Sequence, residues 1–179
     1  MFGFLLVFSV ARSQQTFVYT DPNAAYRKGV ELFEEKNYAS ARRQFEKIYE
    51  QRLDNTASKN TLLWTEVEYM ISVSAAENND VDAEPLLFNF LQNHSDSHRS
   101  AYINFYLGRY YYMNNKYQEC IDQLAKLSAD EIPDKYRTDY KFQLGYCYFV
   151  KKKFDEAKPL FKAIKDIKEK YYYPSNYYY

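Results

Sequence analysis

The sequence predicts an all-α solenoid of stacked antiparallel helix hairpins, and three observations carry that expectation. First, helix breakers are scarce: 4 glycines and 5 prolines stand among 179 residues that are 46% hydrophobic, a balance that favours long helices over a many-turned β fold. Second, the chain repeats itself. "INFYLGRYYYMNNKYQECIDQLAKL" (103–127) and "YKFQLGYCYFVKKKFDEAKPLFKAI" (140–164) align so that Gly108 and Gly145, Cys120 and Ala157, and Leu124 and Phe161 each lie 37 residues apart. Third, aromatics make up 20% of the chain, with 21 tyrosines and 1 tryptophan. Tyrosine buries its ring while its hydroxyl stays wet, which suits thin, layered structures with much half-buried surface.

Taken in order, residues 1–13 read as a secretory signal peptide. Phe2 to Val10 is an apolar run too short to span a bilayer as a helix, and Ala11-Arg12-Ser13 fits a small-x-small cleavage pattern with Gln14 as the new N-terminus. No basic residue precedes the run. Residues 14–21 are a linker, and 22–179 the repeat array. Unit one, 22–53, opens with Asp21-Pro22 as N-cap and first-turn proline. It carries the repeat frame as Gly29, Leu32, Tyr38, Ala41 and Phe45. Unit two, 60–97, fits more loosely: Ala83 and Leu87 match, but Ile71 stands in the glycine place. Units three and four span 100–132 and 137–170. Pro85 and Pro159 are expected in the first turn of second helices, where a missing N–H costs nothing. Lys151 to Lys153 form a solvated turn.

Each unit is then two helices joined by a short polar turn. Glycine on the first helix and Ala or Cys on the second mark a close crossing, and a large residue one turn later fills the space beyond. A single hairpin cannot bury its own apolar face, so neighbours stack. By this spacing the next glycine would fall at residue 180, just past "YYYPSNYYY". Residues 171–179 therefore read as the first helix of a fifth unit, with tyrosines half-buried against unit four, and a longer natural chain is expected.

Leu107-Gly108 with Tyr111, Cys120 and Leu124, and Leu144-Gly145 with Tyr148, Ala157 and Phe161, resemble the tetratricopeptide repeat; Gly29 with Ala41 and Phe45 is a third, partial match. The resemblance covers residues 22–179. It departs from the family pattern in lacking the tryptophan, in shifting or losing the closing proline, and in unit two's missing glycine. With the export signal, "VYTDPNAAYRKGVELFEEKNYASA" and "YYYPSNYYY" are also similar to exported tetratricopeptide proteins of the Bacteroidota cell envelope. The family's concave surface, lined by first helices, takes a partner's peptide. Carried over by position, the lining includes Tyr26, Val30 and Phe33, then Glu68, Ser72 and Ala75, then Tyr102, Phe105, Arg109 and Tyr112, then Asp139, Phe142, Tyr146 and Phe149. Partner binding is assigned to Tyr102, Phe105, Arg109, Tyr112, Phe142, Tyr146 and Phe149, an aromatic stripe with one arginine of the type that anchors binding hot spots. Internal packing between neighbouring first helices is the other reading of the same stripe.

These features imply a protein-interaction scaffold or adaptor in the periplasm or outer envelope, with no cofactor, no nucleic acid and no integral membrane span. Lys plus Arg and Asp plus Glu are 24 each and no long basic run exists, which argues against a general nucleic-acid binder, since that needs a basic face to displace counterions. Catalysis has no foothold: no nucleophile elbow, phosphate-cradling glycine loop or zinc motif is present. The alternatives are a docking arm of a larger enzyme or periplasmic chaperone, and a glycan-binding envelope protein. His94 and His98 are spaced for one helix face but read as solvated linker histidines. Cys120 and Cys147 read as buried free thiols, with a disulfide permitted by export.

Overall fold

The computed structural model describes residues 22–54 and 61–179; the expected signal peptide, the linker and the Asp21 cap lie outside them. Helices account for all the regular structure among the described residues: α1 (Pro22–Glu34), α2 (Tyr38–Asp54), α3 (Thr61–Glu77), α4 (Ala83–Asn93), α5 (Ser100–Met113), α6 (Tyr117–Leu124), α7 (Asp134–Val150), α8 (Phe154–Lys162) and α9 (Tyr172–Tyr178), with a 3-10 turn at Ala129–Glu131. They pair as hairpins α1/α2, α3/α4, α5/α6 and α7/α8. Each hairpin packs on the next through α2/α3, α4/α5 and α6/α7, and α9 packs on α7 and α8.

All four hairpins turn by one device. Lys36, Asn79, Asn115 and Lys152 hold φ of 61°, 57°, 59° and 59°, the left-handed conformation that ends a helix. The following N–H then reaches back to a carbonyl of the helix it leaves: Asn37 to Leu32 at 2.9 Å, Asp80 to Ala75 at 2.9 Å, Lys116 to Tyr111 at 2.9 Å and Lys153 to Tyr148 at 2.9 Å. Unit two shares this turn although it lacks the glycine.

The glycines explain how closely the helices cross, and they correct the expected pairing. A Cβ on Gly29 would sit 2.6 Å from the Phe45 ring, one on Gly108 2.4 Å from Leu124 Cδ2, and one on Gly145 3.1 Å from the Phe161 ring. The glycine thus receives the large residue of the second helix, and the small residue is not its partner. Phe45, Leu124 and Phe161 are fully buried there. Ala41, Cys120 and Ala157 are likewise buried. In unit two Ile71 fills the glycine place, and the neighbouring Ser72 hydroxyl lies 2.9 Å from the Glu68 carbonyl of its own helix and 3.3 Å from the Leu86 carbonyl of α4. Pro159 is a second correction: α8 starts at Phe154, so this proline falls in the second turn. The carbonyl it leaves unbonded is that of Asp155, an exposed residue, where water can take the missing N–H's place.

Charge ties unit one to unit two. Arg42 on α2 donates to Asp80 at 2.6 Å, to both oxygens of Asp82 at 2.7 and 2.6 Å, and to Glu46 at 2.8 Å. Asp82 precedes α4 yet makes no side-chain cap bond to it; its carboxylate is spent on Arg42. That hydrogen bond holds the Asp82 carboxyl below its ordinary value of 3.8, and the same carboxylates, Asp82 foremost, raise Arg42 above the usual arginine range.

Two predictions follow from these contacts. Alanine at Gly108 should destabilise most, by about 1–3 kcal/mol, at Gly29 less, and at Gly145 least, because there the methyl clash is mildest and alanine's helix propensity offsets about 1 kcal/mol. Urea unfolding of the three variants checks the order; equal costs would contradict the glycine–large-residue pairing. Arg42→Ala should lose about 1–3 kcal/mol at neutral pH. Because folding depresses the Asp82 pKa, that contribution is complete above 3.8 and is lost as pH falls through the lower folded value. Parent and variant should therefore converge in strong acid, which urea unfolding at neutral and acidic pH measures.

Candidate binding groove on the concave face

First helices α1, α3, α5 and α7 share one side of the solenoid, and the array curves enough for unit one to face unit four across it. A cavity of about 630 Å³ lies between them, walled by Phe33, Lys36 and Tyr38 from unit one and by Lys135, Tyr136 and Asp139 from α7. Its floor holds Glu77 and Arg109. A second cavity of about 310 Å³ shares Phe33, Glu34, Lys135 and Tyr136 with the first and continues it past Tyr26, Tyr69 and Tyr102.

The floor is an ion-pair cluster. Arg109 Nη2 lies 3.1 Å from Glu77 Oε2, Arg109 Nη1 3.4 Å from Asp139 Oδ2, and Lys170 Nζ 3.6 Å from Asp139 Oδ1. The Glu77 side chain is 4% exposed. Burial pushes its carboxyl above the ordinary range, and Arg109 opposes that. Burial alone would lower Arg109, but Glu77 and Asp139 outweigh it and hold the guanidinium above its usual value. Arg109 Nε is buried without a hydrogen-bond partner among the described residues. Farther along the groove Arg99 grips Glu66 with two bonds, 3.0 and 2.6 Å, and its guanidinium carbon stands 4.7 Å from the Tyr69 ring and 5.9 Å from the Tyr102 ring.

The aromatic stripe divides in two. Tyr102, Phe105 and Arg109 line the cavities. Phe105 does so as a fully buried wall residue, its ring 5.4 Å from those of Tyr106 and Tyr136. Tyr112, Phe142, Tyr146 and Phe149 line neither cavity and belong to a packed cluster under the C-terminal segment. Phe142 is buried, stacked 4.1 Å from Tyr171. Tyr146 packs against Tyr112 at 5.8 Å and Tyr178 at 5.4 Å, and Phe149 meets Tyr178 at 4.8 Å. Burial, and then the neighbouring Asp139 carboxylate, raise the Tyr171 pKa. Tyr171 and Tyr178 thus pack on unit four as expected, while Tyr173 and Tyr177 are more than four-fifths exposed.

Position in the repeat frame missed Lys36, Tyr38, Glu77, Lys135, Tyr136 and Lys170 as groove residues. Tyr136 lies one turn before Asp139 on α7, so extending the lining pattern by a turn would have found it. Lys36 comes from a hairpin turn and Tyr38 opens the second helix α2, and a pattern drawn from first helices omits both. His94 also departs from expectation: it pairs with Glu68 of α3 and its ring lies 4.8 Å from Phe90, fastening the junction to unit two. His98 is exposed, 3.8 Å from Glu66. Both cysteines carry buried free thiols. Among the described residues no three His, Cys, Asp or Glu side chains cluster to hold a metal, and no helix is long and apolar enough to cross a membrane.

Repeated hairpins, shared turns and a concave groove define a tetratricopeptide-like α-solenoid. A solved structure of a mutant of MamA, a tetratricopeptide-like helical-repeat protein, shows the same fold: TM-score 0.60, over 82% of this chain and 77% of that one, at 19% sequence identity. No protein-family model matches the chain, and no curated protein does.

The packing of the C-terminal segment is measurable. Tyr171→Ala should cost about 2–4 kcal/mol, as for other buried aromatics, and Tyr173→Ala within about 0.5 kcal/mol of nothing. Denaturant melts of both variants check this; equal effects would mean that Tyr171 does not dock on Phe142 of α7.

Proposed function

We propose that this chain is a non-enzymatic scaffold or adaptor that binds an extended or helical segment of a partner protein along the concave groove. The observation that carries this reading is the open, continuous cavity between units one and four, walled by tyrosines and by lysines at its rim. Tyrosine supplies large, stiff contact area with a hydrogen-bonding tip, and a ring of such residues around a polar floor suits recognition better than catalysis. Within this reading Tyr102 and Arg109 keep their place among the contact residues, joined by Tyr38, Lys135 and Tyr136. Tyr112, Phe142, Tyr146 and Phe149 support unit four. The apolar run Phe2 to Val10 followed by Ala11-Arg12-Ser13 supports an exported chain that works in the periplasm or outer envelope, like the exported tetratricopeptide proteins of the Bacteroidota that it resembles.

The test compares the chain with a Tyr102→Ala, Lys135→Ala variant of matching circular dichroism and melting temperature, each used as bait in envelope extract. A protein held by the parent should bind the variant about tenfold more weakly or worse, the loss typical of a hot spot. Equal capture by both baits would move the binding surface elsewhere. Retention on cell-wall polysaccharide without any protein would favour sugar stacking on the tyrosine rings.

A further inference from the structure

The chain has 2 cysteines, 27 residues apart in sequence, and the fold brings them together. Cys120 lies on α6, the second helix of unit three, and Cys147 on α7, the first helix of unit four. Their Sγ atoms are 2.9 Å apart. That is nearer than two unbonded sulfurs settle in ordinary contact, and within about 1 Å of the roughly 2.05 Å of a disulfide. Both residues are fully buried, and no third metal-ligating side chain joins them among the described residues. Two thiols so placed have one chemistry open to them that uses both.

We propose that Cys120 and Cys147 are the site of an intramolecular disulfide that joins the third repeat to the fourth. The oxidant is a disulfide donor, a small-molecule or protein dithiol in its oxidised form. One cysteine thiolate attacks a donor sulfur and expels the first donor thiolate, leaving a mixed disulfide. The second cysteine thiolate attacks the mixed disulfide at the chain's own sulfur and expels the second donor thiolate. The two cysteines lose two electrons and two protons, and the donor's S–S bond is reduced to two thiols.

The surroundings set when this happens. In the folded reduced chain Cys147 and then burial push the Cys120 thiol well above its ordinary range, so little thiolate is present, and a donor has no path to either sulfur. The bond therefore forms as the chain folds, before α6 and α7 close on each other. Once made, it is shielded from reductants by the same packing. The junction it staples is the α6/α7 contact between units three and four. The bridge would thus hold unit four, and with it the α7 wall of the groove, in fixed register to unit three.

The experiment refolds the full chain from denaturant with either oxidised or reduced glutathione, then measures intact mass and iodoacetamide labelling after unfolding. The oxidised sample should be about 2 Da lighter per chain, carry no labelled thiol and run as a monomer. It should melt about 5–10 °C above a Cys120→Ala, Cys147→Ala variant. Folded reduced chain exposed to the same oxidant should convert far more slowly. Two labelled thiols after oxidative refolding, glutathione adducts or interchain dimers alone, or a bridged chain melting no higher than the alanine variant, would each overturn the proposal.

Discussion

Three of the four hairpins in this array hang on a large side chain laid against a backbone that has no side chain of its own. Phe45 on Gly29 and Leu124 on Gly108 let two helices cross at a distance that a Cβ would forbid, and Phe161 on Gly145 at one that a Cβ would crowd. The closeness lets one bulky residue fill the whole crossing, so each hairpin is thin and well packed. Thin hairpins stack, each burying the apolar face its neighbour leaves open. The left-handed turn residue, seven positions after each glycine in units one, three and four, closes each hairpin with the same backbone hydrogen bond. The stacked hairpins bring residues of unit one and unit four to opposite walls of one cavity.

Curvature then makes the groove and dictates its chemistry. A carboxylate as buried as Glu77 is costly unless a cation meets it. Arg109, reaching from the next first helix, supplies that cation and shares it with Asp139 of the helix beyond. One guanidinium therefore links three successive units at the floor of the groove. The arrangement stores affinity for neither sign of charge outright: the floor charges are nearly matched, and Lys36, Lys135, Lys170 and Glu34 are exposed to a visitor. A partner segment would meet tyrosine faces first and fixed charge beneath.

The fold was legible because its signal repeats. Three copies of glycine, small residue and large residue at one spacing specify hairpin, crossing and stacking together. What failed were inferences about depth. The pattern marked which residues sit at a crossing, but spacing alone does not say which side chain enters the glycine's space, and the small residue was given the role that Leu124 and the phenylalanines fill. The aromatic stripe on α5 and α7 was read as one surface because its members share a helix face. Tyr171 and Tyr178 cover its lower half, a fact of long-range packing that no local period records. Likewise His94, in a run of serines and aspartates that reads as solvent-facing linker, is drawn inward by Glu68 from a helix 26 residues earlier.

The direct test of the central contact is a double-mutant cycle at Gly108 and Leu124, followed by urea unfolding. If glycine is there to receive Leu124, Gly108→Ala should destabilise the parent but become neutral or stabilising in a Leu124→Ala background, where the new methyl occupies vacated space. The coupling should then reach about 1–3 kcal/mol. If Gly108→Ala costs the same with and without Leu124, the two sites are independent, and the close crossing that this account places beneath the turns, the curvature and the groove is not what organises the fold.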